Sequence, residues 1–372
     1  MKQKIVSVVP YATLPCFSGG QKCIAQFNEY MGLQCELTVV STSKNDLSLV
    51  KNYTLLPWMK NGKLKFFQLP LFFQLASFIK KNNIQYLMIE HPYMGWLGCL
   101  LRWQCKIPLV VHTYNIEYLR FKSVGKKWWP ILMWYEKKIL NAADIVFCIS
   151  QEDMEYMIGN IGIDEGKCHV ITFGTPLSST PTDKADCAAL VRKQHNIKNT
   201  EAIILFNGLL SYKPNAQAVL DILNCINPIL LKYPAFEYKI IICGKDLPAE
   251  LNGLQDYANK NIIYMGFVPD IELYFKAADI FINPILSGGG IKTKLVEALG
   301  FNTTVVSAAT GAIGCDKTAS GNKLIVVPDN DWAGFAEAII NQLSQPTPTP
   351  ASFYKEYYWG NITKKAFNIL FN

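Results

Sequence analysis

A chain of 372 residues, half of them hydrophobic and 17% charged, is long enough for two domains with separate cores and too apolar to be a disordered or solvating polymer. Its net charge of +7 is lopsided: up to Val170 there are 19 Lys/Arg against 12 Asp/Glu, and from Ile171 onward 17 against 17. The eleven cysteines are scattered, odd in number and lack a CxxC pair, and the four histidines (His91, His112, His169, His195) lack metal-ligand spacing, so a disulfide framework and a zinc site are both excluded in favour of reduced core thiols in a cytosolic protein.

In chain order, Met1 to Lys4 followed by Ile5 to Val9 resembles the start of a signal peptide, but Pro10 ends the apolar run too early, and Lys4–Val9 reads as a buried first strand. Ser18-Gly19-Gly20-Gln21 opens a helix near Gly20. Further strands are expected at Glu36–Val40, Leu87–Ile89, Leu109–His112 and Ile145–Ile149, with helices starting near Leu71, Tyr93, Trp129 and Gln151. The most apolar window, Leu64 to Ile79, is interrupted by Gln68, Pro70 and Gln74 and is too short to span a bilayer, so no transmembrane helix is expected. Lys126-Lys127-Trp128-Trp129, with Trp134, Lys137 and Lys138, fits either a membrane interface or a helix whose aromatics face the core beneath solvated lysines. After the polar stretch Ser178 to Lys184 the alternation restarts, with strands at Ala202–Phe206, Tyr238–Ile242, Ile262–Met265, Ile280–Asn283, Thr304–Ser307 and Leu324–Val327. This rhythm specifies α/β architecture with two parallel sheets covered on both faces. Gln345-Pro346-Thr347-Pro348-Thr349-Pro350 breaks the helix begun near Trp332, and Ser352 to Leu370 has helical spacing. The expected domains are 1–175, 176–345 and a closing helix, 351–372, that packs back on the first.

Ligands of parallel sheets collect at the carboxyl ends of strands, where loops enter helix N-termini suited to phosphate. The Gly19-Gly20 pair allows close backbone approach to an anion or is simply a tight turn. Five residues after Asn207-Gly208 lies Lys213, where an ammonium can neutralise a diphosphate and assist a nucleotide leaving group; the same lysine would also suit a plain surface position before Pro214. The most informative run is Gly288-Gly289-Gly290-Ile291-Lys292-Thr293-Lys294-Leu295-Val296-Glu297-Ala298-Leu299-Gly300, following Asn283. Its amides can converge on phosphate or sugar oxygens, Lys292 and Lys294 add positive charge, and Glu297 can accept from a ribose diol. His112 ends an apolar strand and is either a site residue or a structural histidine. Asp329-Asn330-Asp331 mimics a metal-binding motif, but before Trp332 an aspartate is a good helix cap, and no metal is expected.

This triple-glycine run resembles the donor site of the GT-B-fold glycosyltransferases of family 4, the glycosyl group 1 transferases. Ser18-Gly19-Gly20, His112-Thr113-Tyr114-Asn115-Ile116-Glu117, Ala142-Ala143-Asp144 with Ser150, Lys213-Pro214-Asn215, Gly266-Phe267-Val268-Pro269-Asp270 and Ala278-Asp279 agree in order, covering nearly the whole length. The resemblance implies two Rossmann-like doubly wound domains facing across a cleft, and a retaining, metal-independent, hexosyltransferase-like enzyme without cofactor. His112 and Lys213 are its implied catalytic residues. Gly19, Gly20, Gly208, Gly289, Gly290, Ile291, Lys292, Thr293, Lys294 and Glu297 are its implied contacts to a UDP- or GDP-type donor, and Gly244, Gly266, Phe267 and Val268 flank the base. The expected acceptor is lipid-linked or a polysaccharide, at the inner membrane face with peripheral contact on anionic lipid, and nucleic acid is not an expected partner. Two positions depart from the family pattern: Gly289 stands where many members have glutamate, and Leu209 where many have arginine, which leaves Lys213 as the matched side-chain cation for the diphosphate. Two alternatives follow: a non-catalytic nucleotide-sugar-binding or scaffold subunit, motivated by Leu209, and a sugar-nucleotide epimerase of the same fold, for which helix-borne Glu297 and loop residue Glu117 are poor acid/base candidates.

Overall fold

The computed structural model describes residues 2–62, 66–288, 290–342 and 347–372. The chain forms two compact units, the first comprising Met1–Pro176 and Trp359–Asn372 together with residues 289–291, and the second Leu177–Gly288 and Lys292–Tyr358.

In the first unit seven strands, β1 (Lys4–Val8), β2 (Glu36–Thr42), β3 (Thr54–Met59), β4 (Tyr86–Glu90), β5 (Leu109–His112), β6 (Ile145–Cys148) and β7 (Cys168–Val170), form one sheet in the order β3-β2-β1-β4-β5-β6-β7. All pairings are parallel. Such strands are buried on both faces, which is why their sequences read as unbroken apolar runs: Ile5, Val6, Val8, Leu87, Ile89, Leu109, Val110 and Val111 are all inaccessible to solvent. Two of these strands have no counterpart in the sequence reading. Thr54–Met59 carries Pro57, which argues against a strand, yet β3 is the sheet edge, where a missing N–H is tolerated. β7, at the other edge, has only three residues.

The helix Trp129–Ala142 resolves the aromatic-basic stretch in both directions. Trp129 packs on the core with Leu132, Ile139 and Leu140. Trp128, Ile131 and Trp134, spaced by three, lie on the solvent side at 47%, 70% and 59% exposure, so the expectation that the aromatics all face the core is corrected. Lys138 Nζ lies 4.4 Å above the Trp134 ring.

The second unit holds β8 (Ala202–Asn207), β9 (Tyr238–Cys243), β10 (Ile262–Gly266), β11 (Ile280–Asn283), β12 (Thr304–Ala308) and β13 (Leu324–Val327), in the parallel order β10-β9-β8-β11-β12-β13. Ile204, Phe206, Ile240, Ile242, Ile280, Ile282 and Val306 form its core. Of the proline-rich stretch, Gln345 and Pro346 lie outside the described residues, while Thr349 is buried, donating from Oγ1 to Leu299 O at 2.8 Å. The closing segment is two helices, Ala351–Tyr357 in the second unit and Trp359–Phe371 in the first, rather than one body over 351–372. Trp359 anchors the last helix within the first unit: its ring is fully buried, Nε1 donates to Gln26 Oε1 at 2.9 Å, and its backbone N donates to Thr175 O at 3.0 Å. All eleven cysteines are free thiols; five are buried and Cys16 is exposed, so not all are core groups.

Candidate functional site

In each sheet the strand order reverses once, between β1 and β4 and between β8 and β11. At such a point the loops leaving neighbouring strands run in opposite directions and open a crevice at the carboxyl edge.

At the second unit's reversal the elements are backbone-rich. A Cβ on Gly208 would sit 2.6 Å from Asn215 Nδ2, and one on Gly244 2.0 Å from Gly208 O, so only glycine lets the ends of β8 and β9 approach this closely. Gly244 N donates to Gly266 O at 2.7 Å, continuing the contact to β10, and Phe267 follows with its ring 64% exposed. Gly288 has φ +94° and lies against the Tyr212 hydroxyl and Pro214, which flank Lys213. Lys213 is exposed at the first position of the helix Lys213–Asp221. Lys292 caps the helix Thr293–Gly300 and donates from Nζ to Gly288 O at 2.9 Å. Glu297 stands half-buried one turn further along. The positive end of this helix, Lys213 and Lys292 give the corner an electropositive character suited to phosphate. Lys294 Nζ donates to Asn207 O and Asn215 Oδ1, each at 3.0 Å, above the Phe206 ring. Burial, with Lys292 nearby, pushes Lys294 down to about 7, against the opposing pull of Glu297.

At the first unit's reversal the elements are side chains. The β4–β5 register sets Glu90 beside His112. Glu90 accepts from Ser7 Oγ at 3.0 Å and Tyr114 Oη at 2.5 Å, and His112 Nδ1 lies 3.2 Å from Glu90 Oε2 and 3.0 Å from Tyr114 Oη. Burial alone would raise the Glu90 carboxyl, but His112, Tyr114 and Ser7 together hold it below the usual glutamate value. A carboxylate only accepts, so the proton of His112 Nδ1 points to it, and the buried Nε2 has no partner among the described residues. Next to this group, Tyr11, His91, Tyr93, Glu117 and Arg120 are joined by hydrogen bonds. Ser18 caps the helix Gly19–Gln34, where Gln21 closes the turn by accepting from Phe17 N. An open cavity of about 510 Å³ lies beside Gly20, bounded also by Tyr11, Ser18, Gln21, Thr42 and Lys44.

Two family profiles match this chain: Glycosyltransferase Family 4 over residues 18–178 and Glycosyl transferases group 1 over residues 201–345. The chain is a group 1, family 4 glycosyltransferase of GT-B fold. The chain is 29% identical over 184 residues to a 44.6 kDa protein of the cps region of Klebsiella pneumoniae, a match covering 45% of each. It is 22% identical over 325 residues to the O-antigen biosynthesis glycosyltransferase WbnH of Escherichia coli, covering 85% of each. The fold is also that of HepE from Anabaena, solved in complex with UDP, with a TM-score of 0.73 at 15% identity, 98% of this chain and 99% of that one being covered.

In this glycosyltransferase the residues expected around the donor fall into two groups. The second unit gathers Gly208, Lys213, Lys292, Thr293, Lys294 and Glu297 around one strand reversal, with Gly244, Gly266, Phe267 and Val268 at the adjoining strand ends. Gly290 has φ +67°, a conformation that glycine adopts freely, and Ile291 is half-buried, while Gly289 lies outside the described residues. Gly19, Gly20 and His112 belong to the first unit. The ammonium of Lys294 is held by Asn207 and Asn215, so it braces the corner from beneath rather than standing open. Glu117, read above as a loop residue, is the first residue of the helix Glu117–Ser123 and is buried. Asp329 accepts from Thr310, tying the segment after β13 to the short helix after β12, and Asp331 accepts from Gly334 N at 2.9 Å, closing a local turn. The sequence reading missed Glu90, His91 and Tyr11. A lone carboxylate closing the apolar strand Tyr86–Glu90 was the available signal, because an acid fully buried at a strand end requires dedicated partners.

Proposed function

We propose that this glycosyltransferase is a retaining, metal-independent hexosyltransferase that moves a sugar from a UDP- or GDP-type donor to a lipid-linked or polysaccharide acceptor in surface-glycan assembly. The observation that carries the reading is the second unit's glycine corner, where Gly288 lies against the residues flanking Lys213 and the positive end of the Glu297-bearing helix adjoins it. Lys213, Lys292 and that helix end supply the positive charge needed as a diphosphate leaves, and Glu297 is at hand for the ribose. The names of WbnH, an O-antigen enzyme, and of HepE, solved with UDP and UDP-glucose, support the acceptor class and the donor type. A panel of UDP- and GDP-hexoses assayed with and without chelator tests this. Sugar transfer that survives chelation, with the anomeric configuration kept, is expected; transfer abolished by chelator and restored by manganese, or binding without turnover across the panel, contradicts it.

The reading places the enzyme in the cytoplasm with peripheral contact on an anionic membrane. From Leu47 to Ala143 the chain has fourteen Lys/Arg and three acids, Glu90, Glu117 and Glu136, all three buried. Phe67, Leu69 and Phe73, then Leu100 and Trp103, then Trp128, Ile131 and Trp134 are exposed on or beside three neighbouring helices of the same unit. Exposed indoles and phenyl rings among an excess of cations, of which Arg102 pairs with Asp144 and Arg120 with Glu117, suit a bilayer interface rich in anionic lipid. No helix among the described residues is long and apolar enough to cross a membrane. Flotation with phosphatidylglycerol vesicles, and its loss when Trp128 and Trp134 become serine, is the expected outcome; equal flotation of the double variant would remove this part of the reading.

A further inference from the structure

One enclosed amine of the second unit has no carboxylate paired with it. Lys294 lies in the first turn of the helix Thr293–Gly300, and its side chain reaches the end of β8 and the start of the helix Lys213–Asp221. The residue as a whole keeps some exposure, but its amine end is enclosed. Nζ donates to Asn207 O and Asn215 Oδ1, each at 3.0 Å, and lies 4.6 Å from the centre of the Phe206 ring. A neutral amine donates two hydrogen bonds and an ammonium three, so the two acceptors satisfy the neutral form, while a third N–H meets no oxygen among the described residues. The groups it touches, from β8 and from the helix Lys213–Asp221, are uncharged. Of the charged groups around it, Lys292 before the helix opposes the ammonium, Glu297 on the same helix favours it without forming an ion pair, and Lys213 is exposed at the start of the adjoining helix. Burial and Lys292 outweigh Glu297 and push the amine down to about 7, so about half the molecules carry it uncharged at neutral pH.

We infer that Lys294 is a positioning residue whose counter-charge is the donor's diphosphate: an anion arriving at the glycine corner draws a proton onto Nζ, and the ammonium so formed tightens the brace around that corner. The inference rests on the transferase reading above, and every residue it uses belongs to the second unit. The proton comes from solvent, up to one for each donor bound, and no bond of the sugar nucleotide changes. Lys292 and the start of the helix Thr293–Gly300, which are to meet the diphosphate, directly precede Lys294 in the chain, so the anion acts on the amine at short range through an enclosed, weakly screening medium. Once charged, the bonds to Asn207 O and Asn215 Oδ1 become charge-assisted and stronger. Asn215 also donates from Nδ2 to Leu209 O at 2.9 Å and packs on Gly208, so the firmer hold passes to the turn that precedes Lys213. Negative charge growing on the diphosphate as the sugar leaves then meets an ammonium already in place. Because the proton is taken up on binding, affinity for the donor is greatest below about pH 7 and falls as pH rises through the value of the amine in the free protein.

The test is calorimetric titration of the full chain, in buffers of different ionisation enthalpy, with whichever of a panel of UDP- and GDP-hexoses binds the wild type most tightly. These diphosphate diesters do not themselves titrate between about pH 6 and about pH 8, so proton uptake reports the protein. The wild type should take up most of a proton per donor bound at about pH 8 and about a tenth of one at about pH 6. Lys294→Arg, which is always charged, and Lys294→Met, which never is, should both lose that uptake, and the affinity of Lys294→Arg should not fall between the two pH values. Donor binding by the wild type without uptake at about pH 8, or uptake that persists in a folded Lys294 variant, overturns the inference while leaving the transferase reading in place. Should neither variant fold, as judged by Tm, the wild type decides: uptake that differs between the two pH values as stated upholds the inference, and uptake that does not overturns it. A folded wild type that binds no member of the panel, nor UDP or GDP, removes the transferase reading itself and the inference with it.

Discussion

The two units carry their polar groups at the same topological place, the carboxyl edge where strand order reverses, yet they build it from different material. The second unit uses backbone: Gly208, Gly244, Gly266 and Gly288 bring main chain and a helix end together, and lysines supply charge. The first unit uses side chains: Ser7, Glu90, His112 and Tyr114 in one network, and Tyr11, His91 and Glu117 in the next. A diphosphate is a diffuse anion that many amides can share, whereas hydroxyl and proton chemistry needs donors and acceptors of fixed direction. On the function proposed above, the contrast suits the second unit to anion binding and the first to directional chemistry.

The largest effect should come from Lys213→Ala. Its side chain is exposed, so stability should be unchanged while kcat falls about 100- to 1,000-fold through loss of charge stabilisation on the leaving group. Unchanged turnover would break the assignment of charge to the second unit. His112→Ala sharpens the other half: kcat should fall about 100-fold with diphosphate affinity kept, since His112 belongs to the first unit's network. A matched pair of glycine variants comes next. Gly208→Ala forces its Cβ into Asn215 and displaces the Lys294 brace, and should weaken diphosphate binding about tenfold with a fall in Tm, whereas nothing lies within 4 Å of a Cβ on Gly20, and Gly20→Ala should keep the wild-type Tm.

The smallest effect concerns stability alone. Glu136 accepts from Glu117 N and Tyr118 N at 3.0 and 2.9 Å, and burial pushes it up to about 7 despite those bonds. Its folded value lies above its unfolded one, so its contribution is present below about pH 4.5 and is lost as pH rises through 7. Glu136→Gln should flatten the pH dependence of Tm across that window by about 1–3 kcal/mol equivalent. A variant with the wild-type slope would show that Glu136 does not titrate there.

Much of this contrast was legible in the sequence where the signal was local. Leu109–His112, Ile280–Asn283 and Leu324–Val327 fall at the residues their apolar runs indicate, because a doubly covered parallel strand has no polar face to blur its ends. Thr54–Met59 escaped because Pro57 is a poor strand residue everywhere except at an edge, and edge position is a property of the whole sheet. The proposed donor corner was readable because it is built from two short runs, Gly208 to Lys213 and Gly288 to Glu297, each informative by itself. The first unit's networks were not: Tyr11 and His91 are eighty residues apart, and only the β1–β4 pairing brings them together. Lys294 was placed in the right corner with the wrong orientation, since spacing along a helix does not reveal that Asn207 and Asn215 would hold its ammonium.

The central claim, that the second unit's glycine corner grips a nucleoside diphosphate, is tested most directly by calorimetric titration of wild type, Glu297→Ala and His112→Ala with UDP, GDP and their monophosphates. The account predicts that one diphosphate binds wild type at least about tenfold more tightly than its monophosphate, that Glu297→Ala weakens it by about tenfold or more, and that His112→Ala leaves it unchanged. Equal affinity for mono- and diphosphates, or a Glu297→Ala variant that binds as wild type does, would contradict it.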